Sequence, residues 1–403
     1  MIINKESAKY SLRNLKMRKS RSFLTILSIF VGISSIFIFI SFGWGLYNYV
    51  GEFTTEGSAD KIIIQARGGG IPGLDDTFKL TENDVDAIDG VAGVFEVTGS
   101  SFAVAEIQKG SEKKFAYISS YDPKKPLIWE ISNSEVFIGR ELSSGDTKKA
   151  ILGYNYLLDD KIFSKGLRIN DNIQIQGEDT KIIGFVKEIG NPQDDSNIYV
   201  TQDYFDELYP NKAGNFGWIV ARIQIDKIDR VIEDVERVLR KERGLEEGKE
   251  DFFVQSFEEL IASFSSALNI IIGFVILIAL ISVAVSAVNT ANTMITSVIE
   301  RTKEIGVIKS IGARNSEILK IFLFESATLG FIAGVVGVLV GYGVTSIVAN
   351  VLDNLGWGFL SPYYSPVLFI GLILFATLTG AISGVIPAIR ASKINTVDAL
   401  RYE

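Results

Sequence analysis

Residues 260–299 contain no charged side chain and read LIASFSSALNIIIGFVILIALISVAVSAVNTANTMITSVI. A helix needs about 20 consecutive apolar residues to cross roughly 30 Å of hydrocarbon, and this stretch is about twice that long. Three further stretches without charge lie at 22–51, 326–352 and 354–389. Four such runs in one chain indicate an α-helical membrane protein with four transmembrane helices.

The distribution of charge predicts how the chain is oriented. Lys and Arg concentrate in 1–21, 300–325 and 390–403, whereas the polar region 51–259 is acidic. Because basic residues favour the cytoplasmic side, these three segments are expected in the cytoplasm and 51–259 outside the plasma membrane. The predicted segments are a basic amphipathic helix at 1–21, spans at 22–50, 260–299, 326–352 and 366–389, an extracytoplasmic domain at 51–259, a cytoplasmic segment at 300–325, a short outer loop at 353–365 and a tail at 390–403.

The region 51–259 shows the alternating patterns of a mixed α/β (α+β) domain. Strand-like runs occur at 61–65, 94–97, 102–107, 115–119, 173–176, 180–186, 218–225 and 251–255. Turn residues around Gly110 and Gly177 predict two hairpins, and Thr81 with Asp84 predicts a helix start. Asp226 is expected to cap a second helix with one apolar face, formed by Ile228, Val231, Val235 and Val238.

The second span is expected to be longer than the membrane is thick. Ser256 and Glu259 form a capping box before it, and no Pro occurs between 256 and 300. One continuous helix would reach roughly 65 Å and act as a rigid stalk. A break near Ser265 or Asn289, giving two ordinary helices, is the alternative.

Small and polar residues in the spans predict helix packing. Small residues spaced four apart allow helices to approach closely, and polar side chains usually bond a neighbouring helix. The polar set in the second span is Asn289, Asn292 or Thr293, and Thr296. The glycines with this spacing in the third and fourth spans are Gly330, Gly334, Gly337, Gly341, Gly380 and Gly384.

Composition argues against several classes of function. The 403 residues carry a net charge of −8 and include neither Cys nor His, so a zinc or copper centre is not expected. The acidic pairs at 75–76, 159–160 and 194–195 could be hydrolytic carboxylates or calcium ligands, but they are interpreted as solvated turns. We therefore expect no catalytic residue, metal, cofactor or nucleic acid. The spans lack the central charges of ion-coupled transporters, which disfavours a channel or secondary transporter.

The segment after the second span carries the most specific pattern. Residues 300–326 read ERTKEIGVIKSIGARNSEILKIFLFES. The pattern predicts a short amphipathic helix bearing Ile305 and Ile308 and ending at Gly312, after which Asn315 or Ser316 caps the next helix. This segment resembles the cytoplasmic segment of the FtsX-like/MacB-like ABC permeases, the macrolide-exporter and lipoprotein-release type. The stretches 11–25, 166–186 and 386–403 are similar to the same family.

The resemblance implies a function. In that family the segment is a coupling helix that docks on an ATPase, so Ile305 and Ile308 are expected to contact a groove of that partner. The residues that the resemblance assigns to coupling are Glu300, Arg301, Lys303, Glu304, Ile305, Gly306, Ile308, Gly312, Ala313 and Arg314. No Gly-x-x-x-x-Gly-Lys-Ser/Thr phosphate loop is present, so hydrolysis is expected in a separate ATP-binding subunit.

The implied protein is a non-catalytic permease that pairs with itself or with a second permease in the lipid membrane. It would convert ATP hydrolysis into movement of the extracytoplasmic domain, exporting or extracting a peptide, lipoprotein or hydrophobic drug. The alternative is an ATPase-driven regulator of an extracellular or cell-wall enzyme.

Overall fold

A computed structural model describes residues 19–52, 58–67, 78–132 and 134–401. Most of the predicted amphipathic helix at 1–21 and the acidic pair at 75–76 lie outside these residues. The chain forms two compact units. The helical unit comprises the described parts of Met1–Leu46, Leu268–Val351 and Leu360–Glu403, and the α/β unit those of Tyr47–Ala267 and Leu352–Phe359.

Helices and strands of the described residues are numbered in the order in which they occur along the chain. The helices are α1 (Lys19–Glu52), α2 (Glu82–Asp89), α3 (Leu127–Ile131), α4 (Gln202–Leu208), α5 (Ile228–Glu242), α6 (Phe257–Glu300), α7 (Thr302–Ser310), α8 (Asn315–Asn354), α9 (Pro366–Ser383), α10 (Val385–Ser392) and α11 (Thr396–Arg401). The strands are β1 (Lys61–Ala66), β2 (Leu80–Thr81), β3 (Val94–Ser100), β4 (Phe102–Lys109), β5 (Glu112–Tyr121), β6 (Val136–Gly139), β7 (Lys149–Leu152), β8 (Asn172–Ile175), β9 (Glu178–Val186), β10 (Ile198–Thr201), β11 (Asn215–Phe216), β12 (Trp218–Ile223) and β13 (Phe252–Ser256).

One sheet of the α/β unit is built from both ends of its sequence. Its order is β13-β1-β12-β3, with antiparallel pairing throughout. Helices α2 and α5 cover it. On the predicted apolar face of α5, Val231 and Val235 are buried and Ile228 and Val238 are half-buried, and the unpredicted Leu239 is buried beside them. The predicted cap at Asp226 is wrong, because Ile225–Lys227 forms a 3₁₀ turn and Lys227 occupies the N-cap position.

The second sheet closes on itself around a separate core. Its order is β6-β9-β7-β10-β5-β4-β8, and an additional pairing of β8 with β9 completes a ring. Large side chains such as Tyr156, Phe185 and Phe205 fill its interior. Both predicted hairpins are confirmed, with Gly110 at φ 60° and Gly177 at φ 84° in their turns.

Among the described residues, four helices are long and apolar enough to cross a membrane: Thr25–Gly51, Phe257–Glu300, Asn315–Asn354 and Pro366–Ser392. The predicted capping box before α6 is confirmed. The Ser256 amide donates to the Glu259 carboxylate at 3.0 Å, and the Glu259 amide donates to the Ser256 hydroxyl at 3.0 Å. The 44 residues of α6 then run without a break, as expected of a continuous helix.

The fourth span, predicted at 366–389, is interrupted near its C-terminal end. Helix α9 ends at Ser383, Gly384 forms a turn, and α10 begins at Val385. Pro387 explains the interruption, because it has no N–H to bond the carbonyl of Ser383 one turn earlier.

The glycines of α8 face two different neighbours. Gly330 and Gly334 lie against Ala376 of α9, and Gly330 also meets Gly380. Gly337 and Gly341 lie against Ile33 and Phe37 of α1. Gly384 lies against the side chain of Ser326. A side chain at any of the four α8 glycines would crowd a neighbouring helix. Helix α8 therefore contacts α1 on one face and α9 on the other.

Candidate coupling segment

The segment between α6 and α8 has a well-defined fold. Arg301, at φ −109°, separates α6 from α7. At the other end, the Ala313 amide donates to the Ile308 carbonyl at 3.3 Å and the Gly312 amide to the Lys309 carbonyl at 3.1 Å. This bond pair is the Schellman arrangement, which requires a left-handed residue, and Gly312 supplies it at φ 106°. The predicted end of the helix at Gly312 is confirmed.

The start of α8 differs slightly from the prediction. The helix begins at Asn315, so Arg314 stands at its N-cap position. The Glu317 carboxylate accepts a hydrogen bond from the Arg314 amide at 2.9 Å. A cap at Asn315 or Ser316 is therefore wrong by one or two residues, because the Glu317 side chain closes the turn one residue earlier.

One face of α7 is covered by the chain itself. Ile305 is 3% exposed and packs in a cluster with Val298 of α6, Phe322 of α8 and Ala388 of α10. Ile308 is half-buried against the same cluster. The expectation that Ile305 contacts a partner is wrong, since its side chain is already enclosed.

A buried ion pair holds the beginning of α7. The Arg301 guanidinium lies 3.1 Å from the Glu325 carboxylate, and the side chains of the two residues are only 4% and 7% exposed. The same guanidinium lies 3.1 Å from Glu304 and 5.3 Å from the ring centroid of Phe322. This arrangement joins the N-terminal end of α7 to α8.

The end of α7 is attached to the C-terminal segment. The Lys309 ammonium donates to the carbonyl oxygens of Ser392 at 3.0 Å and Ile394 at 2.7 Å. A cation is favoured at these carbonyls because they lie at and just beyond the C-terminal end of α10. Helix α7 is thus held at both ends.

The opposite face of α7 and its following turn is exposed. Lys303, Val307 and Ile311 are spaced four apart, with Ile311 at the C-cap of α7, and Arg314 follows the turn at Gly312; all four side chains are exposed. Val307 is 48% and Ile311 is 81% exposed. The sequence interpretation missed both apolar residues, although this spacing was available as a signal.

The ten residues predicted for coupling divide by exposure. Three are buried, namely Arg301, Ile305 and Gly306; two are half-buried, namely Ile308 and Ala313; and five are exposed, namely Glu300, Lys303, Glu304, Gly312 and Arg314. The segment thus has an inner side that fixes its position and an outer side that faces away from the core of the described helical unit.

Acidic side chains of the pairs in the α/β unit accept hydrogen bonds from backbone amides of their own loops. Asp159 accepts from the Gly166 amide, and Asp195 accepts from the amides of Ile189 and Gly190, all at 2.8 Å. Burial and the neighbouring Asp195 raise the pKa of Asp194 to about 6. These carboxylates accept hydrogen bonds that hold their own loops, which is more than the interpretation as solvated turns implied. Within the described ranges, no three His, Cys, Asp or Glu side chains are placed to hold a metal ion.

Family profiles match most of this architecture. The FtsX-like permease C-terminal family matches residues 260–396, which include α7 and the last three spans. The MacB-like periplasmic core domain matches residues 22–238.

Similar proteins cover nearly the whole chain. An uncharacterized ABC transporter permease of Methanocaldococcus jannaschii is 32% identical, with 98% of this chain and 97% of the relative covered. The ABC transporter permease YknZ of Bacillus subtilis is 26% identical over 99% of both chains. The macrolide export ATP-binding/permease protein MacB of Wolinella succinogenes is 25% identical, and the chain covers only 61% of it.

Two solved domains align with about half of the chain. The extracellular domain of YknZ from Gram-positive bacteria aligns with a TM-score of 0.38 and 17% identity, covering 48% of this chain and 99% of that domain. The periplasmic region of MacB from Actinobacillus actinomycetemcomitans aligns with a TM-score of 0.41 and 13% identity, covering 53% and 97%. From the profile matches and the full-length relatives, we conclude that the chain belongs to the ABC transporter permeases with a MacB-like periplasmic core domain and an FtsX-like C-terminal region.

Proposed function

We propose that this permease couples ATP hydrolysis in a separate ATP-binding subunit to movement of its extracytoplasmic α/β unit. The ATPase binds residues 300–314 from the cytoplasm, where both termini also lie. The movement exports or extracts a peptide, lipoprotein or hydrophobic drug.

The main support for this proposal is the outer face of α7. Its exposed apolar residues Val307 and Ile311 are flanked by the cations Lys303 and Arg314. An apolar anchor ringed by charge is the composition of a protein interface centre with its polar rim. The inner face, fixed by Arg301, would keep this anchor in one orientation.

The construction of the spans supports transport by movement. Helix α6 is continuous over 44 residues, or roughly 66 Å, about twice the hydrocarbon thickness. Helix α8 approaches α1 and α9 closely at glycines, and several buried hydroxyls bond helix carbonyls, as Ser34 does to Gly337 at 2.9 Å. Close contacts of this kind favour displacement of whole helices over passage of a polar solute between them.

Exposed polar residues on α6 support pairing with a second permease. The exposed stripe Ser282, Val285, Asn289, Asn292 and Thr296 has alternating spacings of three and four. Among the described residues, neither Asn289 nor Asn292 has a hydrogen-bond partner for its side-chain amide. An amide both donates and accepts, so two identical stripes can satisfy each other in a membrane.

The ATPase contact can be tested with charge substitutions on the outer face. Val307→Asp with Ile311→Asp places two carboxylates in the proposed anchor, and loss of an interface anchor costs about 2 kcal/mol or more, roughly a 30-fold weaker affinity. Co-purification of the cognate ATPase from membranes should fall by that factor. Phe95→Asp, at a position 68% exposed in the α/β unit, is the control and should bind normally. Undiminished binding of the double variant would refute the proposed contact.

Pairing through α6 can be tested by cross-linking, because the chain has no Cys of its own. Oxidation of Asn292→Cys in membranes should give a disulfide-linked dimer. Leu280→Cys, 42% exposed but off the stripe, should remain monomeric. Asn292→Ala should weaken the dimer by about 1 kcal/mol. Equal cross-linking at both positions would indicate random collision.

A further inference from the structure

We propose that the third span, α8, forms a further mechanical connection through the membrane, in addition to α1 and α6, which also run into the α/β unit. Its inner joint is the Arg301–Glu325 pair, and its outer joint is the contact of residues 352–359 with Gly190. The inference rests on the proposed function, which supplies the movement of α7.

The inner joint is strong because of where its charges lie. Arg301 and Glu325, 4% and 7% exposed, face each other at 3.1 Å across the start of α7 and the body of α8. Charges withdrawn from water attract each other more strongly, so separating the two would remove a strong contact between buried groups. The Phe322 ring of α8, 5.3 Å from the guanidinium, adds a cation–π contact.

Two further contacts prevent α7 from turning about this joint. Ile305 is enclosed between α6, α8 and α10 in the middle of the helix. Lys309 binds the carbonyls of Ser392 and Ile394 at its end. A force on the outer face of α7 would therefore displace the inner end of α8 with it.

The outer joint lies within the α/β unit. Helix α8 ends at Asn354, and the residues that follow it up to Phe359 group with that unit. The Phe359 amide donates to the Gly190 carbonyl at 2.9 Å, and the Phe359 ring lies 5.3 Å from that of Tyr49. Gly190 has φ 81°, and a Cβ there would lie 3.2 Å from the Phe359 nitrogen, so the close approach uses the absence of a side chain.

The two joints give α8 a role that packing alone does not explain. Helix α6 continues directly from β13 of the α/β unit, and α8 returns to the same unit through residues 352–359. A single attached helix transmits displacement, whereas each further helix attached to the same domain, as α8 is beside α1 and α6, also constrains its rotation. The Arg301–Glu325 pair is thus a positioning pair for the coupled movement.

The inner joint can be measured on the full chain in lipid nanodiscs, without the ATPase. Spin labels at Ser310→Cys, exposed on α7, and Leu339→Cys, 63% exposed on α8, report their separation by pulsed electron paramagnetic resonance. Arg301→Met with Glu325→Leu removes both charges and leaves neither unpaired. The distance distribution should become at least twofold broader, whereas Arg301→Lys, which keeps the charge, should stay narrow. An unchanged width in the double variant would overturn the inner joint.

The outer joint has a matched pair of glycine variants. Gly190→Val and Gly177→Val impose the same backbone strain, at φ 81° and 84°, but only the Gly190 side chain would meet Phe359. Hydrogen exchange of the Phe359 amide should accelerate at least tenfold in Gly190→Val and remain at the wild-type rate in Gly177→Val. Equal rates in the two variants would overturn the outer joint.

The transmission itself is tested with the cognate ATPase bound. A label at Ile347→Cys, 67% exposed on α8, should change its mobility on ATP addition. Arg301→Met with Glu325→Leu should reduce that change at least twofold when the two proteins are compared at equal amounts of bound ATPase, so that weaker binding alone would not produce the difference. An equal change in both proteins would overturn the inference. Failure of the wild-type chain to bind the ATPase would instead refute the proposed function, with the two joint measurements unaffected.

Discussion

The helical unit and the α/β unit differ in the size of the residues at their closest contacts. The α/β unit buries large side chains such as Phe185 and Phe205, both 0% exposed. The helical unit brings helices together where side chains are missing, as at Gly330 and Gly380. In water the burial of apolar area drives association, but in lipid the surroundings are equally apolar and close backbone contact is needed instead. The helical unit therefore adds close backbone contact at glycines to the burial of large side chains such as Phe37 and Phe322.

The two units also differ in how their polar side chains are paired. In the α/β unit, Asp146 is held by Arg140 at 2.6 Å and by Lys149 at 2.6 Å, and the guanidinium lowers the pKa of its carboxyl well below the ordinary range. In the helical unit, hydroxyls bond carbonyls, as Ser286 does to Ser28 of α1 at 2.7 Å. The Arg301–Glu325 pair lies within the helical unit but is an ion pair, like the contacts of Asp146 in the α/β unit.

The largest expected effect is loss of a large side chain from the α/β unit. Phe185→Ala empties space inside the closed ring and should lower the free energy of unfolding by about 3–5 kcal/mol. Phe115→Ala, 74% exposed on β5, is the control and should change it by less than about 0.5 kcal/mol. Hydrogen exchange of β7 and β10 amides in the full chain measures both. Similar costs at the two positions would break the comparison.

In the helical unit, adding a side chain at a glycine should be more damaging than removing one. Gly380→Leu forces a side chain between α9 and the backbone of α8 and should destabilise the bundle by about 1–3 kcal/mol. Gly371→Leu lies on the same helix, where a Cβ would meet nothing within 4 Å, and should be tolerated. Thermal aggregation of the detergent-solubilised protein reports the difference. If Gly371→Leu is as harmful as Gly380→Leu, close approach is not what holds α9.

The smallest expected effect is a pH response of the α/β unit. The pKa of Asp194 is raised to about 6, so the folded state holds a proton that the unfolded chain releases near pH 4. This contribution to stability is complete below about pH 4 and is lost as pH rises through about 6. Asp194→Asn should raise stability at pH 8 by about 1–2 kcal/mol, less than the full shift implies because the carboxyl is partly accessible.

The pH response should be reduced in that variant without disappearing. Burial also raises the pKa of Glu188 and Asp195, and both titrate in the same direction. The measurement is the free energy of unfolding of the α/β unit between pH 4 and 8, followed by hydrogen exchange in the full chain. A wild-type slope in Asp194→Asn would contradict the assigned pKa.

Long and periodic features of the fold could be predicted from the sequence, whereas short and relational ones could not. The four spans and the strands at β1, β4 and β9 follow from runs of apolar or alternating residues. Strands β6, β7 and β10 have four residues each, too few to show a period, and no predicted hairpin turn adjoins them as one adjoins the equally short β8. Strands β7 and β10 are defined by their places in the ring and β6 by its pairing with β9, all through partners distant in sequence.

The coupling segment shows the same limit. Its position and its end at Gly312 follow from local chemistry, since the left-handed turn favours glycine. The choice of inner face does not, because Ile305 and Ile308 on one side and Val307 and Ile311 on the other make both sides apolar. Only the packing of α8 and α10 decides which side is covered. The Arg301–Glu325 contact was likewise missed, as the residues lie 24 positions apart.

The order of strands in the four-stranded sheet has a consequence for synthesis of the chain. Strand β1 carries Ile62, Ile63 and Ile64, which become fully buried, but both of its partners, β12 and β13, are translated more than 150 residues later. The ring from β4 to β10 is complete before either partner exists. During that interval β1 is an apolar, unpaired strand, the type of segment that aggregates unless a chaperone or the membrane surface shields it. Folding of this domain therefore waits for its last strand, which is translated immediately before α6.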